Sequence, residues 1–572
     1  MEYTGARIAL RTLLAEGVDT LFGIPGGAVL PLYQELHTEP AVRHILVRHE
    51  QGAGHAARGY AQAGGRLGVC VATSGPGATN LVTPLMDAFM DSVPVLALTG
   101  QVPRHLLGTS AFQETDICAI AAPVTKEAIQ VTDAADIAKT LHHATHTALE
   151  GRPGPVLVDI TKDALQAKAA AHLPCDPRPM PTPLPPGPEE IATLVRVLLD
   201  ARRPVLYAGG GIVASGAHRA LVDLAETVQA PVVTTLMARG TFPDGHPLYL
   251  GMPGMHGTVA AVAALQHADL IVALGARFDD RVTGELDTFA PEAVVVHLDI
   301  DPREISRKRH ADHALVGDLA VVLPLLGARA AAERRAPRTG AWLCRVEDWK
   351  RRYPRGYETQ PGVLSAQFVM ERLAVASGPG TVYTTGVGQH QMWAAQYLRL
   401  PGPRSFITSG GAGTMGFAIP AALGARAARP DADIWAVDGD GSFQMTCCEL
   451  ATCAAAGLPV KVAVINNGVL GMVRQWQTLF YDGDHAHTDL GTAHRRPDIV
   501  GLAEANGCMG LRCERAEDVD TILAAARAVT GCPVVIDFVV SPDEMVWPMV
   551  PPGVPNDDVL VARDLRPTFD PD

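Results

Sequence analysis

Short runs of uninterrupted apolar residues recur along the chain, separated by stretches whose small and apolar positions follow a helical period. One set comprises GVCVAT (68–73), VPVLALTG (93–100) and GPVLVDI (154–160). A second comprises RPVLYAGGG (203–211), APVVTTL (230–236), DLIVALGARF (269–278) and AVVVHLDID (293–301). A third runs through GTVYTTGVG (380–388), ADIWAVDGDGS (432–442), VKVAVINNG (460–468) and CPVVIDFVV (532–540). A continuous apolar run of this length suits a strand covered on both faces, and its alternation with helical patterns predicts parallel sheets. The expected fold is therefore α/β, with three doubly wound parallel-sheet domains over 1–165, 188–335 and 361–545 and a C-terminal tail over 546–572. The Pro-rich HLPCDPRPMPTPLPPGPEE (172–190) cannot hold regular structure and places a linker at 166–187. Charged stretches between 328 and 361, including DWKRRYPRGYETQPG, place a second linker at 336–360.

Composition narrows the function classes. At 572 residues the chain is too long for one core. A net charge of −14 with scattered Lys and Arg argues against a nucleic-acid partner, which would need a basic face. The N-terminal MEYTGARIAL has neither a basic nor an apolar leader pattern, and the longest uncharged run, near 405–426, is broken by glycines and a proline. A cytoplasmic location without membrane insertion is expected. Ten cysteines lie at irregular spacings without a CxxC pair, so they are expected to be reduced thiols, mostly core filler, not zinc ligands or disulfides.

Two stretches carry chemistry. In IWAVDGDGSFQMTCCELATCAAAGLPVKVAVINNGVLGM, a strand over 434–437 runs into Asp438-Gly-Asp-Gly-Ser442, a helix spans about 445–456, and a second strand over 460–465 ends at Asn466-Asn467. Such a βαβ unit brings Asp440 and Asn467 to the carboxyl ends of parallel strands, where α/β sheets bind ligands. A carboxylate, an amide oxygen and turn carbonyls form the hard donor set that Mg²⁺ takes beside a diphosphate. Gly439 and Gly441 let backbone N–H groups approach the phosphates. GDG alone and Asn-Asn-Gly alone are common turns; their joint occurrence 27 residues apart in this strand order is the signal. The other stretch, HILVRHEQGAGHAARGYAQAGG (44–65), places Glu50 in the first turn of a helix. There a carboxylate ordinarily offsets the helix dipole by about 0.3–1 kcal/mol.

The GDG…NN pair resembles the signature of thiamin diphosphate-dependent decarboxylases and carboligases, and RHEQGAGHAARGYA matches that family's glutamate motif. The resemblance implies that Glu50 exchanges a proton with the aminopyrimidine N1′, favouring the imino tautomer that removes the thiazolium C2 proton. It also implies that the Glu50 motif meets the metal and diphosphate motif of a partner subunit, so at least a homodimer, or a homotetramer, is expected. Segments covering nearly the whole chain resemble acetohydroxyacid synthase catalytic subunits. Among them are GIPGGAVLPLYQEL (23–36), TSGPGATNLVTPLMDA (73–88), TGQVPRHLLGTSAFQETD (99–116), GARFDDRVTG (275–284), GAGTMGFAIPAALGA (411–425), GMVRQWQTLFY (471–481) and VWPMVPPG (546–553). The implied domains are pyrimidine-binding, FAD-binding and diphosphate-binding in chain order. The implied reaction decarboxylates pyruvate and ligates the remainder to pyruvate or 2-oxobutyrate in branched-chain amino acid biosynthesis, with a regulatory small subunit as an expected partner.

Residue by residue, the resemblance implies thiamin diphosphate contacts at Pro25, Glu50, Gly75, Asn80, Val387, Gly388, Gln389, His390, Gly413, Met415, Gly439, Gly441, Ser442, Gly471 and Met472. Mg²⁺ ligands fall at Asp440, Asn467 and Val469. Gly27 is expected to offer a backbone N–H to a developing oxyanion, and Phe112, Gln113 and Lys162 to line the substrate channel. Met415 would hold the cofactor bent, and Arg281 and Trp476 would select the second substrate through a carboxylate clamp and an apolar wall. FAD contacts are expected at Arg152, Gly209, Gly210, Gly211, Thr235, Leu236, Gly254, Met255, His256, Gly257, Gly275, Arg277, Asp279, Arg281, Asp299, Ile300 and Asp318. The GGGIVA string (209–214) also fits the weak dinucleotide fingerprint. The acidic DGDHAHTD (482–489) departs from the basic-aromatic string usual in these relatives. A pyruvate oxidase-like flavoenzyme is the competing enzymatic reading. A degenerate scaffold is disfavoured by the presence of Glu50, Asp440 and Asn467, and a glyoxylate carboligase by Glu50 itself.

Overall fold

The structure, a computed structural model, describes residues 2–170, 183–491 and 496–569. The Pro-rich part of the first expected linker, 171–182, lies outside the described residues, as does Cys175. Three six-stranded sheets form the frame. The first runs in the order Arg43–Leu46, Thr20–Gly23, Gly68–Ala72, Val95–Gln101, Val156–Thr161, Glu127–Val131, and its strands pair in parallel. The second runs Tyr249–Gly251, Val232–Thr234, Pro204–Ala208, Leu270–Leu274, Val294–Asp299, His313–Val316, again parallel. The third runs Phe406–Thr408, Val382–Thr385, Ile434–Gly439, Lys461–Asn466, Val534–Val539, Met509–Cys513. Its last five strands pair in parallel.

Numbered along the chain within each sheet, the first and third share the order 2-1-3-4-6-5, while the central one is 3-2-1-4-5-6. The order switches direction between strands 1 and 3 of the first and third sheets, which turn back again at their last strand, and between strands 1 and 4 of the central sheet; a doubly wound sheet binds its ligand at the carboxyl ends flanking such a switch.

The chain divides into two compact units. One holds the first and third sheets (1–181, 380–391 and 407–542), the other the central sheet (182–379, 392–406 and 543–572). In the first unit the two sheets join through helices Glu50–Gly64 and Ala418–Ala428. These are rich in Ala and Gly because their backbones nearly touch. A Cβ on Gly59 would lie 2.2 Å from the Ala421 carbonyl oxygen, and one on Gly424 would lie 1.9 Å from that of Ala56.

Several segments differ from the sequence expectation. Lys168–Ala170, within the stretch read as linker 166–187, pairs antiparallel with Glu2–Thr4. Gly340–Arg352, within the stretch read as linker 336–360, is a helix. Trp342, Val346 and Trp349 recur there at helical spacing and bury one face, leaving the charged residues outside. The helix expected over 445–456 is two helices, Asp440–Thr446 and Glu449–Ala455. The nine described cysteines are unpaired, but only four are buried, fewer than a core-filler role implies. Among the described residues no helix is long and apolar enough to cross a membrane.

Candidate active site

Glu50 opens its helix behind His49, whose ring accepts a hydrogen bond from the Gln51 N–H. The Glu50 carboxylate accepts from the Asn80 amide at 2.9 Å. It also faces Gly77, where a Cβ would stand 3.4 Å from Oε1. Gly75, at φ +61°, carries the turn after strand Gly68–Ala72, and Gln113 packs against it; a Gly75 Cβ would lie 2.9 Å from that of Gln113. Burial, reinforced by the Glu50 charge, pushes the Tyr33 phenol upward. Pro25 and Gly27 are exposed at the end of the neighbouring strand, and nothing lies within 4 Å of a Gly27 Cβ. Phe112 is 88% exposed. Lys162 is half-buried directly after strand Val156–Thr161. Every one of these residues follows a strand of the first sheet at its carboxyl edge.

The corresponding edge of the third sheet carries the other half. Strands Ile434–Gly439 and Lys461–Asn466 are neighbours, with Gly439 opposite Ile465, so the Asp440 and Asn467 turns emerge side by side. The Asn467 amide oxygen accepts from the Val469 N–H at 3.1 Å, and its nitrogen donates to Gln389 at 3.2 Å. Gln389 in turn donates to Gln475 at 3.0 Å. Gly471 closes against both Gln389 and Asn467. Ser442 accepts from the Gly416 N–H at 2.8 Å, beside Met415, whose methyl lies 3.8 Å from a Gly441 Cβ position. Val387, Gly388 and His390 belong to the turn after strand Val382–Thr385 and the helix that follows it. Burial pushes Asp438 up to about 7 and His390 down to about 3, so both favour their neutral forms; among the described residues the buried Asp438 Oδ2 and His390 Nε2 have no hydrogen-bond partner, and His390 Nε2 stands 3.5 Å from Asp438 Oδ1.

The donor set fits Mg²⁺: two side-chain oxygens and the Val469 carbonyl, in neighbouring loops of one sheet edge. Burial pushes the Asp440 carboxyl up to about 7, a penalty that a divalent cation beside it would offset. Trp476 stands on helix Gly471–Phe480 edge-on to Phe480, their centroids 5.7 Å apart. The divergent 482–489 segment folds back on this helix. Thr478 hydrogen-bonds His485 at 2.8 Å, Gln477 donates to the Ala486 carbonyl, and the Leu470 N–H donates to that of Thr488.

In the central sheet, the residues expected at FAD also share the carboxyl edge. Gly209–Gly211, Thr235 and Leu236, Gly254–Gly257, Gly275–Arg281, Asp299 and Ile300, and Asp318 follow its six strands. Arg152 alone differs: it precedes strand Val156–Thr161 in the other unit, where it donates to Ser92 at 2.7 Å. The Gly209 and Gly211 N–H groups already donate to the Leu274 and Gly275 carbonyls. Their glycines therefore serve close backbone packing, and the GGGIVA string does not cradle a phosphate in the manner of the fingerprint. Asp318 and Asp279 cap helices through Ala320 and Arg281 N–H groups. Arg281 itself is 58% exposed. His256 fits a bound group better, because its buried Nε2 has no partner among the described residues while Nδ1 faces the Pro548 carbonyl.

The structure adds residues that the motifs do not reveal. Glu449, fully buried, accepts from the backbone N–H groups of Arg48 (3.1 Å) and His49 (3.0 Å) and from the Thr452 hydroxyl. It thereby ties helix Glu449–Ala455, the second after the GDG turn, to the start of the Glu50 helix. Arg58, also fully buried, is ion-paired with Asp87 and Asp91. Asp91 accepts from the Gly410 and Gly411 N–H groups at 2.8 Å, and Asp87 from Ser409, so these carboxylates pin the loop leading to Gly413 and Met415. The visible signal is the lone Arg in an Ala/Gly helix face of GHAARGYA, since such a cation is buried only when paired.

Comparison with known proteins gives three successive family matches: "Thiamine pyrophosphate enzyme, N-terminal TPP binding domain" over 3–120, the corresponding "central domain" over 191–326 and the "C-terminal TPP binding domain" over 386–538. An acetolactate synthase large subunit of Mycobacterium tuberculosis is 56% identical over 578 residues, covering 100% of this chain and 93% of that protein. One from Corynebacterium glutamicum is 53% identical, covering 100% and 92%. The chloroplastic acetolactate synthase 1 of Zea mays is 42% identical, covering 99% and 90%.

Proposed function

The chain belongs to the acetolactate synthase large subunits among the thiamine pyrophosphate enzymes, and from that premise we propose that it ligates two 2-oxo acids with loss of CO₂. Two pyruvates and one proton give 2-acetolactate and CO₂; with 2-oxobutyrate as acceptor the product is 2-aceto-2-hydroxybutyrate. The observation that carries this reading is the pair of matched carboxyl edges. One bears a carboxylate on a helix start, the other an oxygen donor set beside a Gly-rich turn.

Bound there, thiamin diphosphate supplies a carbanion centre at C2 and an electron sink. Glu50, held by Asn80, would hold and exchange the proton at the aminopyrimidine N1′. Asp440, Asn467 and the Val469 carbonyl would hold Mg²⁺, which neutralises the diphosphate. Met415 would press on the cofactor beside Gly441 and fix its conformation, while the exposed Gly27 N–H would donate to oxygen carrying developing charge. Phe112, Gln113 and Lys162 would orient the 2-oxo acids and exclude water. Arg281 would pair with the acceptor carboxylate, and Trp476 would pack on its alkyl group.

The carboxyl edge of the central sheet, with His256, would hold FAD. The ligation balances without a net electron acceptor, so no step is assigned to the flavin, and nothing observed favours the oxidase reading. A homodimer is proposed on the exposed apolar side chains beside both half-sites. Leu30, Leu46 and Phe112 flank one, and Met445, Val473 and Tyr481 the other. The relatives named large subunits support a small regulatory subunit as a further partner. Product analysis tests the reading: pyruvate alone should give acetolactate, and added 2-oxobutyrate should shift the product to acetohydroxybutyrate. Pyruvate consumption coupled to reduction of oxygen or a quinone, without either product, would refute it.

A further inference from the structure

Helix Gly5–Ala15 ends on Glu16, and helix Ile137–Leu149 carries His142 and His146 one turn apart on the face turned toward it. The Glu16 carboxylate lies 2.6 Å from His142 Nδ1 through one oxygen and 3.7 Å from His146 Nε2 through the other. The three candidate ligand atoms all lie within 4.8 Å of one another. The imidazole rings are neighbours, inclined at 51° with centroids 4.4 Å apart. The Glu16 side chain is 4% exposed, that of His142 26% and that of His146 22%, so the carboxylate is buried while both imidazoles are partly reached by solvent.

We propose that Glu16, His142 and His146 form a transition-metal site, for Zn²⁺ or a similar borderline cation, on the flank of the N-terminal domain. Ligands at about 2.0–2.1 Å from a tetrahedral zinc stand roughly 3.3 Å from one another. The contacts of 2.6 and 3.7 Å run to the two different oxygens of the carboxylate and all three ligand atoms lie within 4.8 Å, so a rotation of the carboxylate and shifts of the two rings bring the set onto one cation. Two imidazoles and one carboxylate suit Zn²⁺, Co²⁺ or Ni²⁺, whereas Mg²⁺ and Ca²⁺ prefer oxygen throughout. A histidine pair at i, i+4 presents both nitrogens to one point, and the fourth position stays open to water. Both helices are anchored in the core of the first sheet through Ile8, Leu13, Leu141 and Ala144, so the ligands stand on rigid supports. Binding displaces the proton that His142 and Glu16 share and cross-links two helices that no covalent bond joins. Glu16 precedes strand Thr20–Gly23 and thus lies toward the edge opposite the catalytic residues, which gives the site a structural role.

The test uses the untagged full-length protein, stripped of metal with a chelator and titrated with Zn²⁺ against a chromophoric competitor. Co²⁺ substitution reports the coordination through its visible absorption. Wild type should take one Zn²⁺ per chain at this site, with a tetrahedral Co²⁺ band and a raised thermal midpoint. Removing one imidazole in His146→Ala should weaken that binding at least tenfold and abolish both signatures. Glu16→Gln, which preserves shape, should weaken it as well. Absence of tight binding in wild type would overturn the proposal, as would unchanged affinity, band and midpoint shift in the variants.

Discussion

Replacing Glu449 with Ala tests how the site is held. Its buried carboxylate accepts from two backbone N–H groups at 3.0–3.1 Å, those of Arg48 and His49, immediately before Glu50. A hydrogen bond to a charged group contributes about 1.5–3 kcal/mol. Two such bonds would total about 3–6 kcal/mol, but Arg48 and His49 are exposed, so water recovers part after truncation. A net loss of about 2 kcal/mol in the order of this helix start is expected, equivalent to roughly a thirtyfold change in equilibrium. The assay is hydrogen–deuterium exchange at C2 of bound thiamin diphosphate, the step proposed to depend on Glu50 at N1′. Glu449→Ala should slow exchange by up to about thirtyfold, again taking about 1.4 kcal/mol per decade. Glu449→Gln, which keeps one carbonyl acceptor, should fall between. Exchange at the wild-type rate in the Ala variant, with cofactor shown to be bound, would refute the argument.

Mixing inactive Glu50→Gln chains with inactive Asp440→Ala chains should restore activity, because a mixed dimer contains one site with both native groups. No recovery on verified subunit exchange would place the two groups in one chain. Gly424→Val should lower the thermal midpoint markedly, since even a Cβ there would meet the Ala56 carbonyl at 1.9 Å and overpacking costs about 1–3 kcal/mol or more; an unchanged midpoint would contradict the close helix approach. Burial pushes the Glu544 carboxyl, which accepts from the Ala366 N–H, up to about 7. The native state therefore binds this proton more tightly than the unfolded chain, and stability from this group falls as pH rises from the ordinary carboxylate range through about 7. Glu544→Gln should match wild type near pH 5 and exceed it at pH 8 in thermal scans, and a constant difference across pH would count against this. Trp476→Leu should cut the preference for 2-oxobutyrate over pyruvate by about 1–2 kcal/mol in competition assays, whereas Arg281→Gln should mainly lower total product; an unaltered product ratio would remove Trp476 from the specificity assignment.

Every strand predicted from an apolar run is an interior strand of its sheet, and all six edge strands are missing from that reading. The reason is visible in Arg43–Leu46, Glu127–Val131, His313–Val316 and Met509–Cys513, where exposed and half-exposed positions interrupt the burial. An edge strand has one open side and need not be uniformly apolar, so its sequence merges with a loop. Tyr249–Gly251 and Phe406–Thr408 escape notice through length, at three residues each, despite being buried. Thr20–Gly23 is the interior exception, a four-residue strand whose ends are Thr and Gly.

The same distinction separates the site residues that the sequence reveals from those it hides. Glu50, Asp440 and Asn467 lie in strings whose spacing is local, each on the turn after a strand, and the strand order alone brings them to a carboxyl edge. Glu449 and Arg48 are 401 positions apart in sequence, and Asp91 and Gly411 are 320 apart. Neither pairing has a local pattern, because a carboxylate that binds backbone N–H groups places no demand on the identity of its partners. Charge offers the remaining clue. A Glu, an Arg and two Asp buried among Ala and Gly must answer one another or a backbone donor. In this protein Arg58 pairs with the two Asp within the first domain, and hydrogen bonds from Arg58, Asp87, Asp91 and Glu449 cross the seam between the first and third sheets, whose shared 2-1-3-4-6-5 order sets the strand reversals at equivalent positions. The buried polar groups thus fix how two similar sheets meet, while the exposed turns on each are left to the chemistry.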